Sequence, residues 1–167
     1  TVSRGLGDVY KRQSIKFDYK YPTPFTFNFV DVNEIMEMNP DDYPDISDLI
    51  IEIQNWDRST SSDSLGAGIF AIFYYNLGKY IRKPYINRNL SKNLIAQMLR
   101  DVKAYMVKHF NKTNVRLGEY QKLVRGDKEI PIWGMPDVIT AMTSSRHIGG
   151  KRKITHGESY IQLVKFS

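Results

Sequence analysis

Leu65 to Tyr75, Leu-Gly-Ala-Gly-Ile-Phe-Ala-Ile-Phe-Tyr-Tyr, is apolar on almost every side of a helix. A helix without a polar face is stable only when neighbours cover it nearly all round. This run therefore sets the plan of the chain: a central buried helix that the other elements must enclose. Ile81 extends the run and Arg82-Lys-Pro84 closes it, while Ser62 or Asp63 is placed to cap its start. Asn76 and Lys79 interrupt it well short of the ~20 apolar residues that a membrane span needs. It reads as a core helix, and the chain carries no membrane span.

The covering elements follow from spacing. Ile46, Leu49, Ile50, Ile53 and Trp56 recur every three or four residues, which predicts a helix of about three turns from Asp45 to near Asp57. Asp31 can cap a short helix through Met38, ended by Asn39-Pro40. Asn87 to Asn89 opens a longer helix over Leu90 to Phe110. Its stripe is Leu94, Met98, Leu99, Val102, Tyr105 and Met106, with Lys92, Asn93, Arg100, Lys103 and Lys108 opposite. That basic face reads as plain solvated surface. Lys108 and His109 suit the negative end of the helix dipole.

After Asn111 the texture changes to short β-prone runs: Tyr120 to Val124, Ile130 to Trp133, Val138 to Met142 and Tyr160 to Phe166. Turns at Gly126-Asp127, Gly134-Met-Pro136 and Gly149-Gly150 separate them, and a turn near Gly157 leads into the last. Earlier, Ser14 to Val30 alternates as a half-buried strand, split or confined to an edge by Pro22 and Pro24. Helices first and strands after is the order of an α+β unit. Residues 1–13 have neither period and resemble translated adaptor sequence, so they read as a non-native leader before a unit over 14–167.

Charge tests the partner classes. The formal net charge is +6, of which Arg4, Lys11 and Arg12 against Asp8 put +2 in the leader and leave +4. The remaining cations are not clustered, which weighs against a nucleic-acid partner. A stand-alone basic module is the competing reading, resting on that charge and on Tyr19, Tyr21, Phe25 and Phe27, although alternating aromatics more readily face a core than bases. With no cysteine, disulfides and thiolate chemistry are excluded over these residues.

The motifs that could carry chemistry are incomplete. Gly66-Ala-Gly68 fits a loose dinucleotide pattern but follows a Ser-rich loop instead of a strand, so close helix packing explains it better. Gly157-Glu-Ser159-Tyr-Ile161 is half of a nucleophile elbow, with Ile161 where a second glycine belongs. His109, His147 and His156 lack ligand spacing. A His156–Glu158 acid/base pair is conceivable on an extended strand, yet a hydrogen-bonded turn is commoner. Thr1 could act through its own α-amine, but it heads the leader. Asn89-Leu-Ser91 and Asn111-Lys-Thr113 match the glycosylation pattern by a spacing that chance often gives.

Taken in order, Tyr43-Pro44 with Leu49-Ile50, Asn55-Trp-Asp-Arg58, Asp63-Ser-Leu-Gly-Ala67, Gly118 to Gly126, Ile130-Pro-Ile-Trp-Gly-Met-Pro-Asp137 and Gly157-Glu-Ser-Tyr-Ile-Gln-Leu-Val164 resemble the penicillin acylase family of amino-terminal-nucleophile hydrolases. The likeness is nearest the branch of aculeacin and acyl-homoserine-lactone acylases. Trp133 stands where the family often has a smaller residue, and Glu158 where Asp is frequent. The resemblance implies an internal fragment of the late β subunit, part of an αββα fold with mostly antiparallel strands. It implies a zymogen that cleaves itself to expose a serine, which hydrolyses linear amides of N-acylated substrates such as penicillins, lipopeptides or acyl-homoserine lactones. It places the nucleophile and its partners upstream, so the expectation here is scaffold with no catalytic, cofactor or metal residue. It also allows calcium elsewhere in the full-length protein, packing against the remaining α and β subunits, a role in antibiotic metabolism, and a periplasmic or secreted location.

Overall fold

In the computed structural model, the described residues are 32–76, 90–135 and 142–157. The expected strands over 14–30 and 160–166, the Asp31 cap, the helix end at 82–84 and the start at 87–89 lie outside them, as does most of 138–142. The described residues form an α+β arrangement in which helices precede a small mixed sheet.

The enclosed helix is as expected. Helix α3 (Leu65–Asn76) buries every residue from Gly66 to Phe73. Its cap is Ser64, not Ser62 or Asp63: the Ser64 hydroxyl accepts from the Ala67 N–H at 3.1 Å. Before it come α1 (Val32–Met36) and α2 (Ser47–Gln54), joined by a 3₁₀ turn over Pro40–Asp42 that Asn39 caps. Gln54 at the end of α2 donates to the carbonyls of Met36 and Met38 at 3.1 and 2.7 Å, satisfying acceptors that the end of α1 leaves open. Ile46, Leu49, Ile50, Ile53 and Trp56 are all buried against the core, although the regular helix ends at Gln54.

Helix α4 (Lys92–Phe110) starts at Ser91, whose hydroxyl accepts from Leu94 N–H, and ends at Asn111 in the left-handed conformation. It buries Ile95, Ala96, Met98, Leu99, Val102 and Met106, while Leu94 and Tyr105 are partly covered. The face opposite the stripe is solvated at Lys92, Asn93 and Lys108, as expected, and two of its cations also make ion pairs. Arg100 grips the Asp45 carboxylate with two hydrogen bonds at 2.5 and 3.2 Å, and Lys103 donates to the Asp45 carbonyl and the Asp48 carboxylate at 2.7 and 2.8 Å. Two cations of α4 thus hold the entry to α2, where Asp48 also meets the positive end of that helix.

A short helix, α5 (Leu117–Tyr120), leads into β1 (Gln121–Arg125), and a tight turn at Gly126-Asp127 leads into β2 (Lys128–Pro131). Tyr120, expected to start β1, closes α5 instead, and Trp133 lies beyond the end of β2. Strand β3 (Met142–Arg146) begins where the Val138 to Met142 strand was expected to end. It turns through a 3₁₀ segment at Ile148–Gly150 into β4 (Arg152–Gly157). The order is β2-β1-β4-β3, with β1 parallel to β4 and the other two pairings antiparallel. Strand β4 was not expected. Its only buried apolar side chain among those described is Ile154, so no alternating pattern marks it.

Candidate functional site

Two places gather unusual side chains. The first surrounds Trp56, directly after α2. Its indole N–H donates to the Ser59 carbonyl at 2.8 Å, and the Asp57 carboxylate accepts from Ser59 N–H at 2.8 Å, folding the chain back in an Asx turn. The Ser62 carbonyl accepts from Gly118 N–H at 2.7 Å, that of Ser64 from Leu117 N–H at 3.0 Å, and that of Thr60 from Gly134 N–H at 3.1 Å. Gln121, fully buried, donates from its side-chain amide to the Gly134 carbonyl at 2.9 Å. One irregular loop is thereby stitched to α5 and to the segment after β2, and Gln121 ties that segment in turn to β1.

Gly66 and Gly68 belong to this junction. A Cβ on Gly66 would lie 2.8 Å from Trp56 Cδ1 and nearer still to Trp56 Cγ and Cβ. One on Gly68 would lie 2.8 Å from the Arg116 carbonyl carbon and 2.9 Å from Leu117 N. The glycines allow close packing, as expected in preference to a dinucleotide site.

The second place is a cleft of about 670 Å³ between the C-terminal half of α4, the end of α3 and the β3–β4 hairpin. Tyr75, Tyr105 and Tyr120 form its aromatic wall; Tyr105 stands edge-on to Tyr120 at 6.3 Å. The Tyr105 hydroxyl donates to the Gly150 carbonyl at 2.6 Å, holding the hairpin turn to α4. The Arg152 guanidinium lies 3.6 Å above the Tyr75 ring and donates to the Ser144 hydroxyl at 2.7 Å and to its carbonyl. Burial pushes the phenols of Tyr75, Tyr105 and Tyr120 above their ordinary range, against the opposing pull of Arg152. All three therefore stand as neutral O–H groups at neutral pH. The Tyr75 hydroxyl is buried and makes no hydrogen bond of normal geometry among the described residues, with Ser144 and Arg152 as its polar neighbours.

Of the sequence candidates, Ser159, Glu158 and Thr1 lie outside the described residues. His109 and His147 line the same cleft, while His156 is exposed on β4 instead of sitting in a turn. His147 Nε2 is 3.7 Å from Glu129, which Lys151 also contacts at 2.5 Å. The tyrosine and arginine lining escaped sequence reading, because its members come from four separated stretches with no common spacing. Among the described residues, no group of three or more His, Cys, Asp and Glu side chains is placed to hold a metal ion, and no helix is long and apolar enough to cross a membrane.

No protein-family model matches this chain, and no curated protein matches it.

Proposed function

We propose that this chain is a scaffold part of a self-processing amidohydrolase of the penicillin acylase type, cleaving linear amide bonds of N-acylated substrates. One observation carries the reading. The stretches that bear the resemblance, Asn55 to Arg58, Asp63 to Ala67, Gly118 to Gly126 and Ile130 to Met135, are separated in sequence yet meet along the loop that follows Trp56. Gly66 packs on Trp56, Gly118 packs on Pro131, the Gln121 amide donates to the Gly134 carbonyl, and the N–H groups of Gly118 and Gly134 donate to the loop carbonyls of Ser62 and Thr60. Motifs of that kind preserve a packing arrangement, which is what scaffold requires, and they present no nucleophile of their own. The finer αββα layout belongs to this proposal, as do the amide substrates.

Within this reading the serine nucleophile, its α-amine base and the oxyanion donors come from upstream chain, and this segment holds the geometry beneath them. Purified on its own, the chain should not turn over an N-acyl chromogenic amide. Turnover above the uncatalysed rate would contradict the scaffold assignment. The alternative, a stand-alone basic module for nucleic acid, rests on the net charge and on Tyr19, Tyr21, Phe25 and Phe27, which lie outside the described residues, and salt-dependent binding to a generic oligonucleotide would favour it.

A further inference from the structure

The cleft between α4 and the β3–β4 hairpin combines two features that converge on one ligand chemistry. The first is charge. Lys108, Arg146, Lys151 and Arg152 line it, and Asp101 is its only acid among the described residues. Glu129 neutralises Lys151 from behind, leaving Lys108, Arg146 and Arg152 against Asp101. The carbonyl end of α4 opposes them with roughly half a negative charge, so the balance still favours an anion by between one and two charges.

The second is preorganisation. Arg152 is fixed by Ser144 and by the Tyr75 ring, both uncharged, so its own charge is not cancelled. Ser144 takes two of its donors and the Tyr75 and Tyr120 hydroxyls are its other polar neighbours, so it is held in the cleft lining by uncharged groups. The Tyr75 hydroxyl is enclosed beside Ser144 and that guanidinium, so it backs the arginine with a neutral group.

We propose that this cleft binds a small phosphate-bearing molecule. Arg152 holds the phosphate at the base, while Arg146 and Lys108, both exposed, reach it from the mouth. Three cations match a dianion better than a carboxylate, and a phosphate monoester is largely dianionic above its second pKa of about 6. This assignment is independent of the amidohydrolase reading.

The test is an NMR titration of the full chain with inorganic phosphate at pH 7.5 and constant ionic strength, following the ring signals of Tyr75, Tyr105, His109 and His147. Saturable shifts are expected, with a Kd in the millimolar range or tighter. Lys108→Ala with Arg146→Ala, both surface changes, should weaken binding at least tenfold. Lys153→Ala, which removes a cation outside the cleft, should leave it within twofold, and acetate should bind at least tenfold more weakly than phosphate. Absence of saturation by 50 mM phosphate, no effect of the double variant, an equal effect of Lys153→Ala, or acetate binding as tightly as phosphate would each overturn the proposal.

Discussion

Gly66 faces the indole of Trp56 so closely that a Cβ on the glycine would come within 2.8 Å of Trp56 Cδ1. Trp56 cannot retreat easily, because its N–H is bound to the Ser59 carbonyl and its ring packs against Phe70 with centroids 5.6 Å apart. Gly66→Ala should therefore destabilise the chain by about 1–3 kcal/mol through overpacking. The helix-propensity gain of up to about 1 kcal/mol works in the other direction and is the smaller effect. Gly68→Ala should cost more, since its Cβ would meet the backbone of Arg116 and Leu117 instead of a side chain that can turn. Denaturant midpoints measure both, and a stabilised Gly66→Ala variant would contradict the packing role.

Gln121 holds the segment after β2 with a single hydrogen bond to the Gly134 carbonyl, while its own amide oxygen has no partner among the described residues. Gln121→Leu removes the donor and should cost about 1–3 kcal/mol by leaving that carbonyl unpaired. Chemical denaturation gives the value, and a neutral result would mean that the Gly134 bond contributes nothing.

Tyr105 and Gly150 join α4 to the hairpin turn. Tyr105→Phe should lose about 0.5–1.5 kcal/mol with the ring packing unchanged. Gly150→Ala should lose more, since Gly150 has φ +73° and a Cβ there would lie 2.8 Å from His109 Nδ1. Hydrogen exchange of the β3–β4 hairpin should speed up in both variants relative to the α3 core, and uniform behaviour of the two regions would contradict a local tie.

Asp45 titrates below its usual value because Arg100 hydrogen-bonds its carboxylate, with Coulombic help from Arg100 and Lys103 outweighing desolvation. A carboxylate depressed in the folded state contributes stability above its unfolded pKa of about 3.9, and that contribution fades as the pH falls through the folded value. Arg100→Gln should raise the Asp45 midpoint measured by NMR toward 3.8. It should also narrow the stability difference between variant and parent below about pH 4. An unmoved Asp45 midpoint would show the pair to be unformed in solution.

The helical half of this fold was legible because its signals are periodic: Ile46 through Trp56 and Met98 through Met106 each mark one buried stripe. The Gly66-Ala-Gly68 packing could also be read, since no strand precedes it. The sheet was legible only in outline. Strand β4 is built from Arg152, Lys153, Thr155 and His156 around Ile154, and its place is fixed by pairing to β1 and β3, which leaves no local apolar pattern. The role of Arg100 and Lys103 was hidden because their acids lie 55 to 58 residues away in sequence, beyond what a helical face reveals. The cleft was not legible at all: Tyr75, Tyr105, Tyr120 and Arg152 meet only once α3, α4 and the sheet are packed.

The amidohydrolase assignment requires this chain to be part of a longer polypeptide, and its most direct test is the intact mass and amino-terminal sequence of the polypeptide that its source expresses. The account predicts two fragments from self-cleavage, the larger beginning with serine and carrying residues 32–157 within it, together with hydrolysis of an N-acyl amide that is lost when that serine is replaced by alanine. A single uncleaved polypeptide, without an amino-terminal nucleophile and without amidase activity, would contradict it.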